Sequence, residues 1–319
     1  MSEHKQLIDR VEDVTGWKIK PYRFKLVEDT SDWMNIIKGD VIRLDGVDYA
    51  VRGNMRETRF GIEDQPKYWV FSVIELATGK EKIIKTVFNE EFYAHIGIFK
   101  IRCYRSPDKE SRALELVKGD SRFMQGRTEL DSIGNNCRIL DYIRGKSIFQ
   151  MIPLIDKKHE EYFYEDLPGI LHKLKESFTA IQKLHENGLC HGDIRNDHIL
   201  IDADTGEFKW IDFDLNQDVT DFDLWSIGNI VSYVVAKGII TFDIVLKSLK
   251  YSDDVKLSLQ STDGSAFYQY RIMNLKKILP FIPPQLDRIL RHFLIRPDQY
   301  YRNLDEFLED YNKMLDSEF

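Results

Sequence analysis

Cysteine is scarce in this chain. Cys103, Cys137 and Cys190 are the three present in 319 residues, and none forms a CxxC pair. That excludes a disulfide framework and a zinc site of ordinary spacing, and leaves small buried hydrophobes in a reducing compartment as the plain reading. Long apolar runs are missing too: none approaches the ~18 residues of a transmembrane span. The start, MSEHKQLIDR, is too polar for a secretory signal. A cytoplasmic protein without a membrane partner is the expectation. Positive charge is not in surplus: the net charge is −8, which argues against a nucleic-acid partner. Repeats and low-complexity tracts are absent. What remains is an ordinary apolar fraction, rich in aromatics, over a length that suits one large domain or two lobes.

Hydrophobic periodicity changes along the chain. Residues 1–38 read as an N-terminal helical extension, with Leu7, Val11 and Val14 on one helix. A second helix is expected near TSDWMNII, capped by Thr30 or Ser31. From about residue 40 the period becomes two. DVIRLDG, DYAVRG and TRFGI read as short strands, and KYWVFSVIEL and EKIIKTVF flank the hairpin turn ATGK. FYAHIGIFKIRCY reads as one strand or a pair. SPDKESRALELVKGD reads as a helix with Pro107 in its first turn and Gly119 at its end. RFMQGRTELDSIGNNCRILDYI makes a further hairpin. Residues 39–145 are therefore expected to form a mostly antiparallel sheet carrying one helix.

Residues 146–319 are expected to be mainly helical. Leu167, Ile170, Leu171, Leu174, Phe178, Ile181 and Leu184 keep a 3.6-residue period up to Gly188. HILID and EFKWIDF flank the turn ADTG, and DLWSIGNIVSYVVA is apolar nearly all round, as a buried helix would be. Periodic stretches at 286–294 and 304–315 mark the last helices. A strand-rich lobe, a short connector and a helical lobe define an α+β fold whose ligands are expected in a cleft between lobes.

Three segments then follow in order: HGDIRNDHILID (191–202), WIDFDL (210–215) and DFDLWSIGN (221–229). This order resembles the protein-kinase-like superfamily, in which His-Arg-Asp, four residues and Asn precede a Mg²⁺-binding Asp and then an Asp-x-Trp-Ser-x-Gly helix. The His-Gly-Asp opening is closer to aminoglycoside and choline kinases than to typical Ser/Thr protein kinases. The resemblance covers about residues 48–315 and is strongest in the helical part. It implies a two-lobed phosphotransferase that uses ATP and Mg²⁺ or Mn²⁺ and moves a γ-phosphoryl group to a hydroxyl acceptor.

Phosphoryl transfer needs a group to orient the attacking hydroxyl and cations to neutralise the moving charge. By resemblance Asp193 is the orienting base and Asp212 the metal ligand. Arg195 stands where protein kinases carry a lysine that contacts the γ-phosphate. His191 is expected to support the loop, and Asp223 either to tether that loop or to cap its own helix. His198 departs from the family, which has Asn there as a second metal ligand. Imidazole suits Mn²⁺ or softer ions better than Mg²⁺. His198 thus ligates a metal, or hydrogen-bonds Asp193 or a phosphate, or marks a weakened or lost activity; Asn196 and Asp197 offer oxygens nearby.

Two lysines compete for the phosphate-binding position, Lys85 after ATGK and Lys100 in GIFKIRCY, with Glu110, or less favourably Glu115, as the helix partner. Asp141, Tyr142 and Ile143 resemble the hinge that presents backbone groups to adenine, with Gly145 letting the chain turn. GxGxxG is missing; RGNMRE (52–57) and GIEDQPK (61–67) are the candidate phosphate loops, the second carrying Glu63 and Asp64. An Ala-Pro-Glu motif is also missing, eleven positions separate Asp212 from Asp223, and Asp214 replaces the usual Gly. So short a segment favours a small-molecule or atypical protein acceptor. Residues 296–308 pull back toward Ser/Thr protein kinases, and a pseudokinase that binds nucleotide or a partner is the reading from another class.

Overall fold

The computed structural model describes residues 3–59, 62–96, 99–217, 219 and 222–319. The chain divides into two compact units: Met1–Glu90, Arg105–Asp120 and Met124–Ile143 in the first, and Glu91–Tyr104, Ser121–Phe123 and Arg144–Phe319 in the second.

The first unit opens with helix α1 (Glu3–Thr15). Strands β1 (Leu26–Val27), β2 (Val41–Leu44), β3 (Val47–Arg59), β4 (Ile62–Glu75) and β5 (Glu81–Lys85) follow. The hairpin β6 (Glu91–Ile96) and β7 (Phe99–Arg105), which belongs to the second unit through Tyr104, interrupts it in sequence; helix α2 (Pro107–Leu116) and strands β8 (Gly126–Leu130) and β9 (Asn136–Asp141) then complete the first unit. The main sheet has the order β1-β2-β3-β4-β5-β9-β8 and is antiparallel except for the β1–β2 pair. Tyr49, Val51, Phe71, Val73, Ile84, Cys137 and Ile139 form one buried face. Leu7, Ile8 and Val11 of α1 bury themselves with Val41, Ala50 and Leu76 on the other. Residues of α1 thus supply apolar area that a bare sheet face would leave in water.

Three local expectations change. DYAVRG and the first two residues of TRFGI, Thr58 and Arg59, lie in one strand, β3, because irregularities between Val51 and Gly53 and again between Asn54 and Met55 absorb the turn-like residues as bulges. Gly53 sits at φ 151, which a β-carbon would oppose. TSDWMNII gives a single 3-10 turn, Trp33–Asn35, in place of a helix. Thr30 does not cap it: its backbone N and its hydroxyl both donate to the buried Asp131 carboxylate at 2.8 Å. FYAHIGIFKIRCY, expected in the main sheet, contributes the strands β6 and β7 to a separate three-stranded sheet of the second unit, in which β7 pairs with β13 (Leu215–Gln217).

The second unit contains β10 (Gly145–Ser147), α3 (Ile148–Met151), α4 (His159–Glu165), α5 (Leu167–Glu186), β11 (Ile199–Asp202), β12 (Phe208–Trp210) and β13 (Leu215–Gln217). Helices α6 (Phe222–Val235), α7 (Phe242–Lys247), α8 (Asp253–Ser258), α9 (Pro284–Arg291) and α10 (Leu304–Glu318) complete it. Gly145 does not serve as a flexible turn. It pairs with Asp202, and a β-carbon on it would stand 1.9 Å from the Ile201 carbonyl oxygen. The core lies along α5, whose Phe178 meets Phe307 and Tyr311 of α10 edge-on and whose Ser177 carbonyl accepts the Trp210 indole N–H at 2.8 Å. Helix α6 buries twelve of its fourteen residues, as its all-round apolar pattern requires. Among the described residues no helix is long and apolar enough to cross a membrane.

Candidate functional site

Asp223, second residue of α6, is fully buried and faces back toward the loop before β11. Its Oδ2 accepts the His191 N–H at 2.7 Å and its Oδ1 the Gly192 N–H at 2.8 Å. His185, near the end of α5, donates from Nε2 to Oδ2 at 2.9 Å. The carboxylate therefore tethers the loop, and the capping alternative falls away. Burial pushes the Asp223 carboxyl up, but the His185 hydrogen bond, the charges of His191 and His185 and the Gly192 N–H outweigh it and hold it below the usual range. Gly192, at φ 87, gives the loop its turn. The His191 ring lies edge-on to Trp210 at 5.0 Å and Phe213 at 4.9 Å, as a supporting residue would.

Past this anchor the loop brings its polar side chains together. Arg195 grips Asp197 with two guanidinium nitrogens, Nε at 2.9 Å, and its third nitrogen stands 3.9 Å from Asp193 Oδ2. Burial pushes the Asp197 carboxyl up, and the charges of His198 and Arg195 more than reverse this, so it stays below the usual range. His198 is 3% exposed. Its Nδ1 lies 2.7 Å from the Asp193 carbonyl oxygen, which can only accept, so Nδ1 carries the proton. In the neutral ring the lone pair is then on Nε2, 3.6 Å from Asp212 Oδ2, too far for a hydrogen bond.

The β11–β12 hairpin sets this meeting. Its register pairs Ile199 with Trp210, and Ile211 N–H bonds the His198 carbonyl at 3.0 Å, so Asp212 arrives beside the His198 ring. Asp212 itself sits at φ 71, a left-handed conformation that costs a non-glycine residue about 1–2 kcal/mol. One ligand atom each from Asp193, His198 and Asp212 lies within 4.8 Å of the others. Two carboxylate oxygens and an imidazole lone pair at this spacing fit a divalent cation, and the nitrogen admits Mn²⁺ more readily than an all-oxygen set would.

In the first unit Glu110 of α2 is fully buried. Its Oε1 takes Lys85 Nζ at 2.7 Å and its Oε2 takes Arg138 Nε at 3.1 Å. Arg138 also donates to the carbonyls of Thr86 at 3.1 Å and Asn136 at 2.8 Å. The pairing distinguishes the two lysines. Lys100 lies in β7 with its ammonium 4.0 Å over the Tyr93 ring, while Glu115 meets Lys118 on the surface at 3.9 Å. Asp141 ends β9 with its carboxylate on Lys82 and its N–H given to Gln125 at 2.8 Å; Tyr142 is 39% exposed and Ile143 half-buried. The Asp141 N–H is thus committed within the protein. RGNMRE lies inside β3, and GIEDQPK beyond Gly61 lies in β4; Phe60 and Gly61, which join the two strands, lie outside the described residues.

Sequence reasoning passed over Arg138 and the His185–Asp223 bond. The first had a signal: a lone arginine inside the apolar strand CRILD must find a buried acceptor. The second had none, since the two residues are 38 positions apart.

An antiparallel sheet with a lysine–glutamate pair, and a helical unit with an aspartate-tethered loop facing a hairpin aspartate, define an α+β fold of the protein-kinase-like class. No family model matches the chain. Curated relatives do. A serine/threonine-protein kinase of Arabidopsis thaliana, AtPK1/AtPK6, is 27% identical over 218 residues, 67% of this chain and 42% of the relative. The serine/threonine-protein kinase pim-2 of Danio rerio is 26% identical over 144 residues, 37% of this chain and 45% of the relative. The CTD kinase subunit alpha of Schizosaccharomyces pombe is 30% identical over 96 residues, 24% of this chain and 16% of the relative. Fold and likeness together support a protein-kinase-like superfamily. The chain spans less than half the length of each of these relatives.

Proposed function

We propose that the protein is an ATP-dependent phosphotransferase that moves the γ-phosphoryl group to a hydroxyl acceptor. The observation that carries this reading is the convergence of Asp193, His198 and Asp212 within 4.8 Å. Asp193 accepts the acceptor hydroxyl's hydrogen bond and takes its proton as the bond to phosphorus forms. Arg195, held by Asp197, keeps a positive charge beside that carboxylate. Asp212 and His198 hold the divalent ion, which when bound offsets charge on the nucleotide phosphates. Lys85, oriented by Glu110, binds those phosphates, and the hinge segment 141–143 binds adenine through Tyr142 and Ile143.

The acceptor is a compact molecule or an atypical protein site. The ten residues between Asp212 and Asp223, with β13 already paired to β7, leave little chain for a peptide-docking platform. The relatives' names favour a second reading, a Ser/Thr protein kinase. Replacing His198 by Asn restores the family's oxygen ligand and should move the metal preference from Mn²⁺ toward Mg²⁺.

The test is ADP release from ATP by the wild type and by Asp193→Asn, with nucleotide affinity measured in parallel. The variant should lose about 10²–10⁴-fold in turnover while retaining nucleotide binding. Equal turnover in both proteins would defeat the assignment. Metal-dependent nucleotide binding by the wild type without turnover would make it a pseudokinase.

A further inference from the structure

Arg271 lies in the second unit, at the end of a tight loop running from Ser265. The loop closes on itself: Ser265 N–H bonds the Arg271 carbonyl at 2.9 Å and Arg271 N–H the Tyr268 carbonyl at 2.8 Å. It is fixed to the same element that carries Asp223. Ser265 Oγ bonds Asn229 of α6 at 3.1 Å, and the Phe267 ring packs edge-on against Phe222 at 5.1 Å. Phe267 also rests on the cluster formed by Ile101, Cys103, Leu215 and Phe222, and Leu215 follows Asp212 by three positions.

The Arg271 guanidinium stacks over the Tyr268 ring at 4.0 Å and stands 5.6 Å from that of Tyr270. Its Nε is buried and makes no hydrogen bond. Among the described residues no carboxylate lies within ion-pair distance of it. A half-buried guanidinium with a dry Nε–H is costly; stacking on rings offsets part of that cost and leaves the planar donor edge pre-set for an acceptor with two oxygens. Burial pushes the Tyr268 hydroxyl up, and the charges of Arg271, Arg195 and Asp193 act on it in smaller measure.

We infer that Arg271, braced by Tyr268 and Tyr270, binds an oxyanion on the phosphoryl acceptor, so that the acceptor carries a phosphate or carboxylate in addition to the hydroxyl offered to Asp193. The inference rests on the phosphotransferase reading for the word acceptor, and its oxyanion site is tested without turnover. The probes are inorganic phosphate and, separately, acetate, each titrated at constant ionic strength into wild type, Arg271→Lys and Arg271→Gln. The readouts are the arginine Nε–H resonances and the melting temperature. One arginine Nε–H signal, missing from both variants, should shift saturably with phosphate or acetate, and the responding anion identifies the class. The variants should bind that anion about tenfold more weakly or worse. If neither anion moves a signal assigned to Arg271, or if affinity is unchanged in Arg271→Lys, the site does not exist. The lysine variant keeps the charge and the loop, so the test survives if the glutamine variant fails to fold. Turnover loss in Asp193→Asn is a separate result, and the two ideas can fail independently.

Discussion

At the scale of the residue, the site is governed by where single polar atoms are forced to go. Asp223 is charged in a fully buried place because three donors converge on its two oxygens. Its native pKa is depressed, so its stabilisation is present in full above the unfolded value of about 3.9 and is lost as pH falls through the lower native value. Asp223→Asn should therefore melt well below wild type at neutral pH, with the gap narrowing below about pH 4. Melting curves of both proteins between neutrality and acid check this, and a constant gap would show that the charge is not what matters. The motif spacing made Asp193, Asp212 and Asp223 legible, because the residues are close in sequence and their chemistry is particular. The tautomer of His198 was not legible: it follows from the Asp193 carbonyl, which any residue type would supply at that position.

At the scale of the element, close packing explains residues that carry no chemistry. A β-carbon on Gly228 of α6 would meet the Phe293 ring at 2.4 Å. Gly228→Ala should thus destabilise the protein by about 1–3 kcal/mol despite its better helix propensity, measurable by urea unfolding. Helix α2 is held to the sheet by polar bonds. Asn136 reaches Asp108 at 3.1 Å and Ser111 at 3.0 Å, and Glu110 carries two cations. Glu110→Gln leaves Lys85 and Arg138 without their buried carboxylate and should cost about 3–5 kcal/mol. A loss below 1 kcal/mol in the same unfolding assay would mean that other groups neutralise them. Periodicity located α2, α5, α6 and α10 because each has a long, regular apolar stripe. It failed at TSDWMNII, where a buried Asp131 claims Thr30, and at β3, where bulges absorb residues that read as turns.

At the scale of the whole molecule, binding should register as added stability. ATP with Mn²⁺ at about a hundred times its dissociation constant should stabilise the fold by about 2.7 kcal/mol, and chelation by EDTA should remove the metal-dependent part. A thermal shift series with ATP alone, with Mg²⁺ and with Mn²⁺ checks this; no shift under any condition would remove the nucleotide from the proposal. The sequence by itself determined the α+β class and the long helices α2, α5, α6 and α10, and it singled out three acidic positions as candidates, because these depend on local periodicity and short spacing. Only the tertiary structure decided that Lys85 meets Glu110 while Lys100 stacks on Tyr93, that Arg138 shares the glutamate, and that the β6–β7 hairpin leaves the main sheet for β13. Those outcomes depend on which distant groups satisfy a buried charge or an open strand edge, and burial is a property of the folded chain.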